Sequence, residues 1–244
     1  MSPTQLYFRQ LFAGRDFGAD NPVCCQMENF VYLIGDRETR ECVVVDPAWA
    51  IDDIVNVAEA DGMRIVGALG THYHPDHVGG SMMGFRVEGA AGLLARCGCK
   101  LHVHQLETEW VRRVTGLSAN DLVPHASGDH VEVGGVRIEW LHTPGHTPGS
   151  SCFRVPMGGQ AGQGDALVAG DTLFLQGCGR VDLPGGDSDE MFRTLSQRLS
   201  TLPGDMELWP GHAYGGHHAK LSDVRRTNPM LRARDLQQWH AVRG

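Results

Sequence analysis

Apolar residues along this chain come in short bursts closed by turn residues. QLYFRQLF, FVYLIG, CVVVD, RIVGAL, KLHVH, VRIEWL, SCFRV, ALVAG and MELWP are rich in branched and aromatic side chains and are bounded by Gly, Pro, Asn or Asp. Such runs read as β-strands. Between several of them the period becomes helical. AIDDIVNVAEADG places Ile51, Ile54, Val55 and Ala58 on one face, acidic residues early and Gly62 at the end, which predicts a helix with a glycine stop. DEMFRTLSQRLSTLPG sets Met191, Phe192, Leu195 and Leu199 on one face before Pro203-Gly204, and QLETEWVRRVTG is a third helical segment. FVYLIGDRETRECVVVD predicts a hairpin around Gly35 to Glu38, and HVEVGGVRIEWL a second turning on Gly134-Gly135. GGSMMGFRVEGAAGLLARCGC is expected to hold a helix and a flexible loop, and RVPMGGQAGQGDALV an exposed turn between two strands.

Hairpins mixed with strand–helix alternation imply a layered α/β protein of mixed sheets. No short internal repeat and no long polar linker divides the 244 residues, so residues 1–244 are expected to form one domain. Composition changes this picture little. Hydrophobic residues at 41% and charged residues at 20% suit a globular chain. The net charge of −8 argues against a nucleic-acid partner, and no apolar run is long enough to span a bilayer. MSPTQLYFRQLF lacks the pattern of a signal peptide, so the cytoplasm is the expected compartment. The seven cysteines follow neither a zinc ribbon nor a disulfide framework and are expected to be free thiols. An oligomer is compatible with the sequence but not predicted by it.

The chemistry gathers in LGTHYHPDHVGG, where His72, His74, Asp76 and His77 follow an apolar strand. Imidazole and carboxylate donors suit zinc, iron or manganese. Four ligands in six residues do not readily face one ion, so two neighbouring ions are expected. His146 in LHTPGHTPGS, Asp171 in LVAGDTLF and His212 in MELWPGHAYGG repeat the same grammar of strand, tight turn and ligand. That grammar places all of them on loops at one sheet edge, where a rigid scaffold can converge side chains.

THYHPDH, TPGHTPGS, GDTLF followed by GCGR, and PGHAYG together resemble the metallo-β-lactamase superfamily, and in detail its glyoxalase II-like (hydroxyacylglutathione hydrolase) branch. The likeness runs in order from about residue 28 to 232 and includes GRVDLPGGD and RTNPMLR. It implies a four-layer αβ/βα sandwich of two mixed β-sheets flanked by helices, with a short helical C-terminal tail. It implies that His72, His74 and His146 hold one metal, that Asp76, His77 and His212 hold the second, and that Asp171 bridges both. Two divalent ions are then expected, zinc first, with iron or manganese as alternatives. Such a pair lowers the pKa of a bridging water enough to give hydroxide near neutral pH, which attacks a thioester carbonyl. The implied substrate is a small-molecule thioester, S-D-lactoylglutathione or a related acyl thiol, and Asp76 would also orient the attacking water.

Arg180 is the candidate for an anionic substrate group and Tyr214 for a pocket wall. Ser150 and Ser151 lack an activating context, and Cys178 reads as a buried structural thiol. His102 and His104 form a second His-x-His without the following Asp-His, which suggests supporting or surface roles. His142 reads as structural, His217 and His218 as part of a solvated loop, and Trp140 and Trp209 as core. About 30 residues follow His212, where the resembled hydrolases carry a longer helical region with basic residues that grip glutathione. Two other activities share the ligand string: a persulfide dioxygenase, in which two histidines and one carboxylate hold a single iron, and a lactonase or other ester hydrolase.

Overall fold

Cys42 and Val44 face one way and Val43 and Val45 the other, and all four are buried. Successive side chains of a strand point to opposite faces, so a strand apolar on both must be covered on both. That requirement sets the layers. The computed structural model describes residues 5–158 and 164–243. Its first half runs β1 (Leu6–Phe12), α1 (Pro22–Met27), β2 (Phe30–Asp36), β3 (Glu41–Val45), β4 (Ala48–Trp49), α2 (Ile51–Ala60), β5 (Arg64–Leu69), α3 (Pro75–Val78), β6 (Gly80–Met82), β7 (Phe85–Gly89), α4 (Ala90–Cys97), β8 (Leu101–His104), α5 (Thr108–Thr115) and β9 (Leu122–His125). The second half runs β10 (His130–Val133), β11 (Val136–His142), β12 (Ser151–Val155), β13 (Ala166–Gly170), α6 (Ser188–Arg193), β14 (Glu207–Pro210), β15 (Ala219–Lys220), α7 (Leu221–Thr227) and α8 (Leu236–Arg243).

One six-stranded sheet has the order β1-β2-β3-β5-β8-β9, the other β10-β11-β12-β13-β14-β15. Both are mixed: the first turns parallel from β3 onward, and the second is antiparallel except where β13 meets β14. Between them Tyr32, Ile34, Val43 and Val45 of the first sheet pack against Ile138, Trp140, Phe153 and Val168 of the second. The outer face of the first sheet, with Leu33, Cys42 and Val44, is covered by Ile51 and Ile54 of α2, Leu93 of α4 and Val111 of α5. Cys152, Leu167 and Leu208 on the outer face of the second are covered by Met191, Val224 and Trp239 of the last three helices. The result is the four-layer αβ/βα sandwich of two mixed sheets flanked by helices.

Every strand named from the sequence is present; the second hairpin turns on Gly134-Gly135 as expected, while the first turns at residues 37–40, two later than expected, because Gly35 and Asp36 still pair with Cys42 and Glu41. The helix α2 is followed by Gly62 at φ +73°, a left-handed position that suits a residue without a side chain. The helical segment before Pro203 widens into a π-type stretch, Thr194–Arg198, and closes in a 3₁₀ turn, yet Met191, Leu195 and Leu199 still share one buried face. One expectation needs correction. GGSMMGFRVEGAAG is no loop: β6 and β7 form a hairpin that joins β4 in a small third sheet, and α4 follows. These strands are short and largely exposed, so they carry no apolar alternation to read. The expected Gly/Gln turn falls partly on residues 159–163, outside the described residues. No disulfide joins any of the seven cysteines, all of which lie among the described residues.

The two sheets are stitched at one edge, where Ser151 N donates to Thr71 O (2.9 Å) and Phe30 N to Gly211 O (2.8 Å). Phe153, fully buried between the sheets with its ring 4.6 Å from that of Trp140, carries much of this packing. Truncation to alanine there is expected to lower unfolding free energy by about 3–5 kcal/mol in urea titrations. The same change at Phe85, 52% exposed on the small hairpin, should stay within about 0.5 kcal/mol.

Candidate metal centre

The loop after β5 is pinned before it supplies a donor. Asp46, at the end of β3, accepts Thr71 N and Thr71 Oγ1, each at 2.7 Å. Pro75 then opens the single turn of α3, a position its fixed φ favours, and that turn presents Asp76 and His77. The loops after β11, β13 and β14 bring His146, Asp171 and His212 to the same edge.

Seven side chains converge there in overlapping groups whose donor atoms lie within 4.8 Å of one another. His146 Nε2 is 2.9 Å from His74 Nδ1 and 3.3 Å from His72 Nε2. His77 Nε2 is 3.2 Å from His212 Nε2, and Asp76 Oδ2 lies 3.3 Å from the first and 3.4 Å from the second. Asp171 spans both groups: Oδ1 is 3.3 Å from His77 Nε2 and 3.4 Å from His212 Nε2, while Oδ2 faces His146 Nε2 at 3.7 Å. His72, His77, His146 and His212 are at most 2% exposed.

Burying so many polar atoms is costly unless something binds them. Burial pushes His72 well below the usual imidazole range and His74 down to about 4. Burial opposes protonation of His77 and His212 as well, but Asp76 and Asp171 outweigh it at His77, and Asp171 lifts His212 to about 10. The two carboxylates thus favour protonation of His77 and His212 in the metal-free chain. His74 Nε2 and Asp171 Oδ1 are buried without a hydrogen-bond partner; the imidazoles near Asp171 Oδ1 are not angled to bond it. Nitrogens facing nitrogens, an orphaned carboxylate oxygen and an all-nitrogen-and-oxygen donor set fit divalent cations.

Outer contacts aim most of the rings. His72 Nδ1 donates to Thr71 Oγ1 (2.9 Å), His77 Nδ1 to Asp46 Oδ2 (2.9 Å), His146 Nδ1 to Arg180 O (2.6 Å) and His212 Nδ1 to Met27 O (2.6 Å). Asn29 Nδ2 holds Asp76 Oδ2 at 3.2 Å, and Trp49 Nε1 holds Asn29 Oδ1 at 3.0 Å. Such outer partners fix ring orientation and tautomer at metal sites. Two glycines leave the space: a Cβ on Gly211 would sit 2.5 Å from Asp171 Oδ1, and one on Gly179 2.7 Å from His146 Nδ1.

The sequence pattern of the metallo-beta-lactamase superfamily matches residues 27–212, which holds all seven donors. The chain belongs to the metallo-beta-lactamase superfamily. It is 32% identical over 235 residues to the mitochondrial persulfide dioxygenase ETHE1 of Homo sapiens, covering 94% of this chain and 78% of that protein. It is 35% identical over 190 residues to the hydroxyacylglutathione hydrolase of Nitrosococcus oceani, covering 76% of this chain but only 62% of the hydrolase. Among solved structures, ETHE1 from Myxococcus xanthus superposes with a TM-score of 0.75 at 25% identity, over 97% of this chain and 89% of that one. TTHA1623 in a di-iron-bound form superposes with a TM-score of 0.64 at 29% identity, over 84% and 96%.

Within this superfamily site the other candidate residues sort unevenly. Tyr214, 41% exposed, stacks its ring on that of His212 at 4.8 Å. Arg180 is at the site through its backbone: its carbonyl holds His146, while its exposed guanidinium pairs with Asp182 at 2.7 Å. Cys178 is half-buried, not buried. Ser150 and Ser151 bond to Thr147 and Trp140, as structural hydroxyls do. His102 bonds His125 at 2.8 Å and His104 stacks on His142 at 4.0 Å, so this second His-x-His builds a ladder apart from the seven donors. His217 and His218 are exposed, as a solvated loop implies, with His217 against Phe12 and Phe30 and His218 stacked on Trp209, which is half-buried and packs against the inter-sheet core. Trp140 is core.

Asp46, Asn29, Thr71 and the carbonyls of Met27 and Arg180 were not foreseen. Asp46 alone left a signal, since CVVVD also ends a strand on a donor. The carbonyls could leave none, because every residue has one.

Two outcomes follow. At neutral pH, metal uptake displaces the protons on His77 and His212, so titration calorimetry in buffers of different ionisation enthalpy should register proton release, with affinity falling as pH falls. Burial also holds His102 and His104 at about 4, against the usual 6.5. Unfolding lets them bind protons, so metal-free stability should drop as pH falls from about 6.5 towards about 4. The urea midpoint of His102→Gln should fall less over that range than that of the unmodified chain.

Proposed function

We propose that this chain is a metal-dependent hydrolase that cleaves a thioester, of glutathione or a related acyl thiol, without a protein nucleophile. The observation that carries this reading is the second donor group. Asp76, His77 and His212 are assembled as closely as His72, His74 and His146, the arrangement that a pair of ions would use. The likeness to a hydroxyacylglutathione hydrolase and to a di-iron structure supports it. Bound divalent ions supply Lewis acidity and a water of lowered pKa; zinc is the proposed ion.

The chain's own groups do the rest. Asp76, steadied by Asn29, would orient the attacking water. The Asp46 carboxylate keeps His77 Nδ1 protonated, leaving Nε2 as the donor, and the carbonyls of Met27 and Arg180 do the same for His212 and His146. Phe174, with its ring 6.0 Å from that of His212, and Tyr214 form an aromatic wall that shields an acyl group from water.

A second reading has its own support. The likeness to human persulfide dioxygenase covers more of both chains than the likeness to the hydrolase, and His72, His146 and Asp171 offer the two imidazoles and one carboxylate of a single-iron oxygenase. Metal content and a paired assay separate the two. The hydrolase reading expects two ions per chain and hydrolysis of S-D-lactoylglutathione that is lost on chelation and restored by zinc. In Asp171→Ala, kcat should fall by more than about 100-fold, beyond the loss of an outer partner. One iron per chain, with oxygen consumed on glutathione persulfide and no thioester turnover, would sink it.

A further inference from the structure

One buried carboxylate has no part in that chemistry. Glu107 is fully buried beside the start of α5 and is not among the seven donors. It occupies the position that caps α5 but makes no side-chain capping bond, so its oxygens are spent elsewhere. Oε2 accepts Tyr73 N at 2.7 Å; Oε1 accepts Thr147 Oγ1 at 2.8 Å and Gly149 N at 2.7 Å. Tyr73 lies between His72 and His74, and Thr147 directly follows His146. We infer that Glu107 is a positioning residue that ties the two loops of the His72–His74–His146 group into one unit and so sets the metal affinity of that group.

Three features make the tie specific. His72 and His146 have outer hydrogen bonds on their second nitrogens, whereas His74 Nε2 has none. His74 is therefore aimed by its backbone, and the peptide nitrogen before it is the one Glu107 holds. The Tyr73 ring stacks on Trp110 of the same helix at 4.9 Å and its hydroxyl donates to Pro184 O at 2.6 Å, so α5 acts as the frame. A Cβ on Gly149 would lie 2.6 Å from Glu107 Cγ, which leaves room there for the carboxylate arm alone. Burial raises Glu107 to about 7 against the pull of its three donors; all three contacts require an acceptor. Asp76, His77 and His212 are held instead by Asn29, Asp46 and Met27, so the effect falls on one group.

The inference rests on the reading that these donors hold metal. Zinc binding to the metal-free chain, measured by competition with a chromogenic chelator, tests it. In Glu107→Gln one of two binding events should weaken about 10–100-fold, the cost of losing an outer partner, with the other unchanged. In a His74→Ala background, where the first event is already crippled, the same change should add nothing to the second. Thr147→Val, which removes one of the three donors, should give a smaller loss on the same event, and it serves if Glu107→Gln does not fold. Thermal melting of the metal-free variants accompanies each titration. Equal weakening of both events, or no weakening in a folded variant, overturns the inference. A wild-type chain that takes no zinc overturns the metal reading itself. If it takes one, the binuclear reading fails, and an unchanged affinity for that single ion in Glu107→Gln overturns the clamp.

Discussion

Asp171 stands where the two sheets meet, with one carboxylate oxygen towards each histidine group. Its near-burial, with the side chain 12% exposed, is the constraint on which the site depends. A carboxylate largely removed from water must find positive charge nearby, and three other strands that end at this edge, β5, β11 and β14, supply imidazoles from both sheets. The sandwich brings the donors within a few ångströms; their mutual proximity is tolerable only because protons or cations can balance them. The same edge that stitches the sheets through Thr71 and Phe30 therefore also sets the distance between the groups.

Rigidity comes from a ring of neutral and charged acceptors behind the donors. Asp46 serves both groups at once, through Thr71 to His72 and directly to His77. Backbone carbonyls from loops far away in sequence aim His146 and His212, and Glu107 joins the two loops that carry His72, His74 and His146. None of these partners needs to touch a substrate, and each narrows the rotamers open to a donor. The superfamily relationship gives the frame and the donor set a common origin with both hydrolases and a persulfide dioxygenase.

Much of this was legible along the chain. Strands with two apolar faces announced themselves as unbroken Val, Ile and Leu runs, and helices by their period, because burial acts on every side chain in such elements. The β6–β7 hairpin was missed since its strands are exposed and give burial nothing to select. His102 and His104 looked like a ligand pair by spacing, but β8 directs them to His125 and His142 instead. The seven donors stood out because each follows a strand end, where side chains leave the sheet for a loop.

The sequence by itself determined the donor types, their placement after strands and the layered α/β class, since these follow from local spacing and from which side chains avoid water. The family resemblance already implied that Asp171 faces both groups; only the tertiary structure decided that the Arg180 carbonyl holds His146 and that Asp46 and Glu107 hold the donors in place. The reason is physical: orientation at a buried site is fixed by contacts between residues distant in the chain. A backbone carbonyl that aims a histidine carries no mark in the sequence at all.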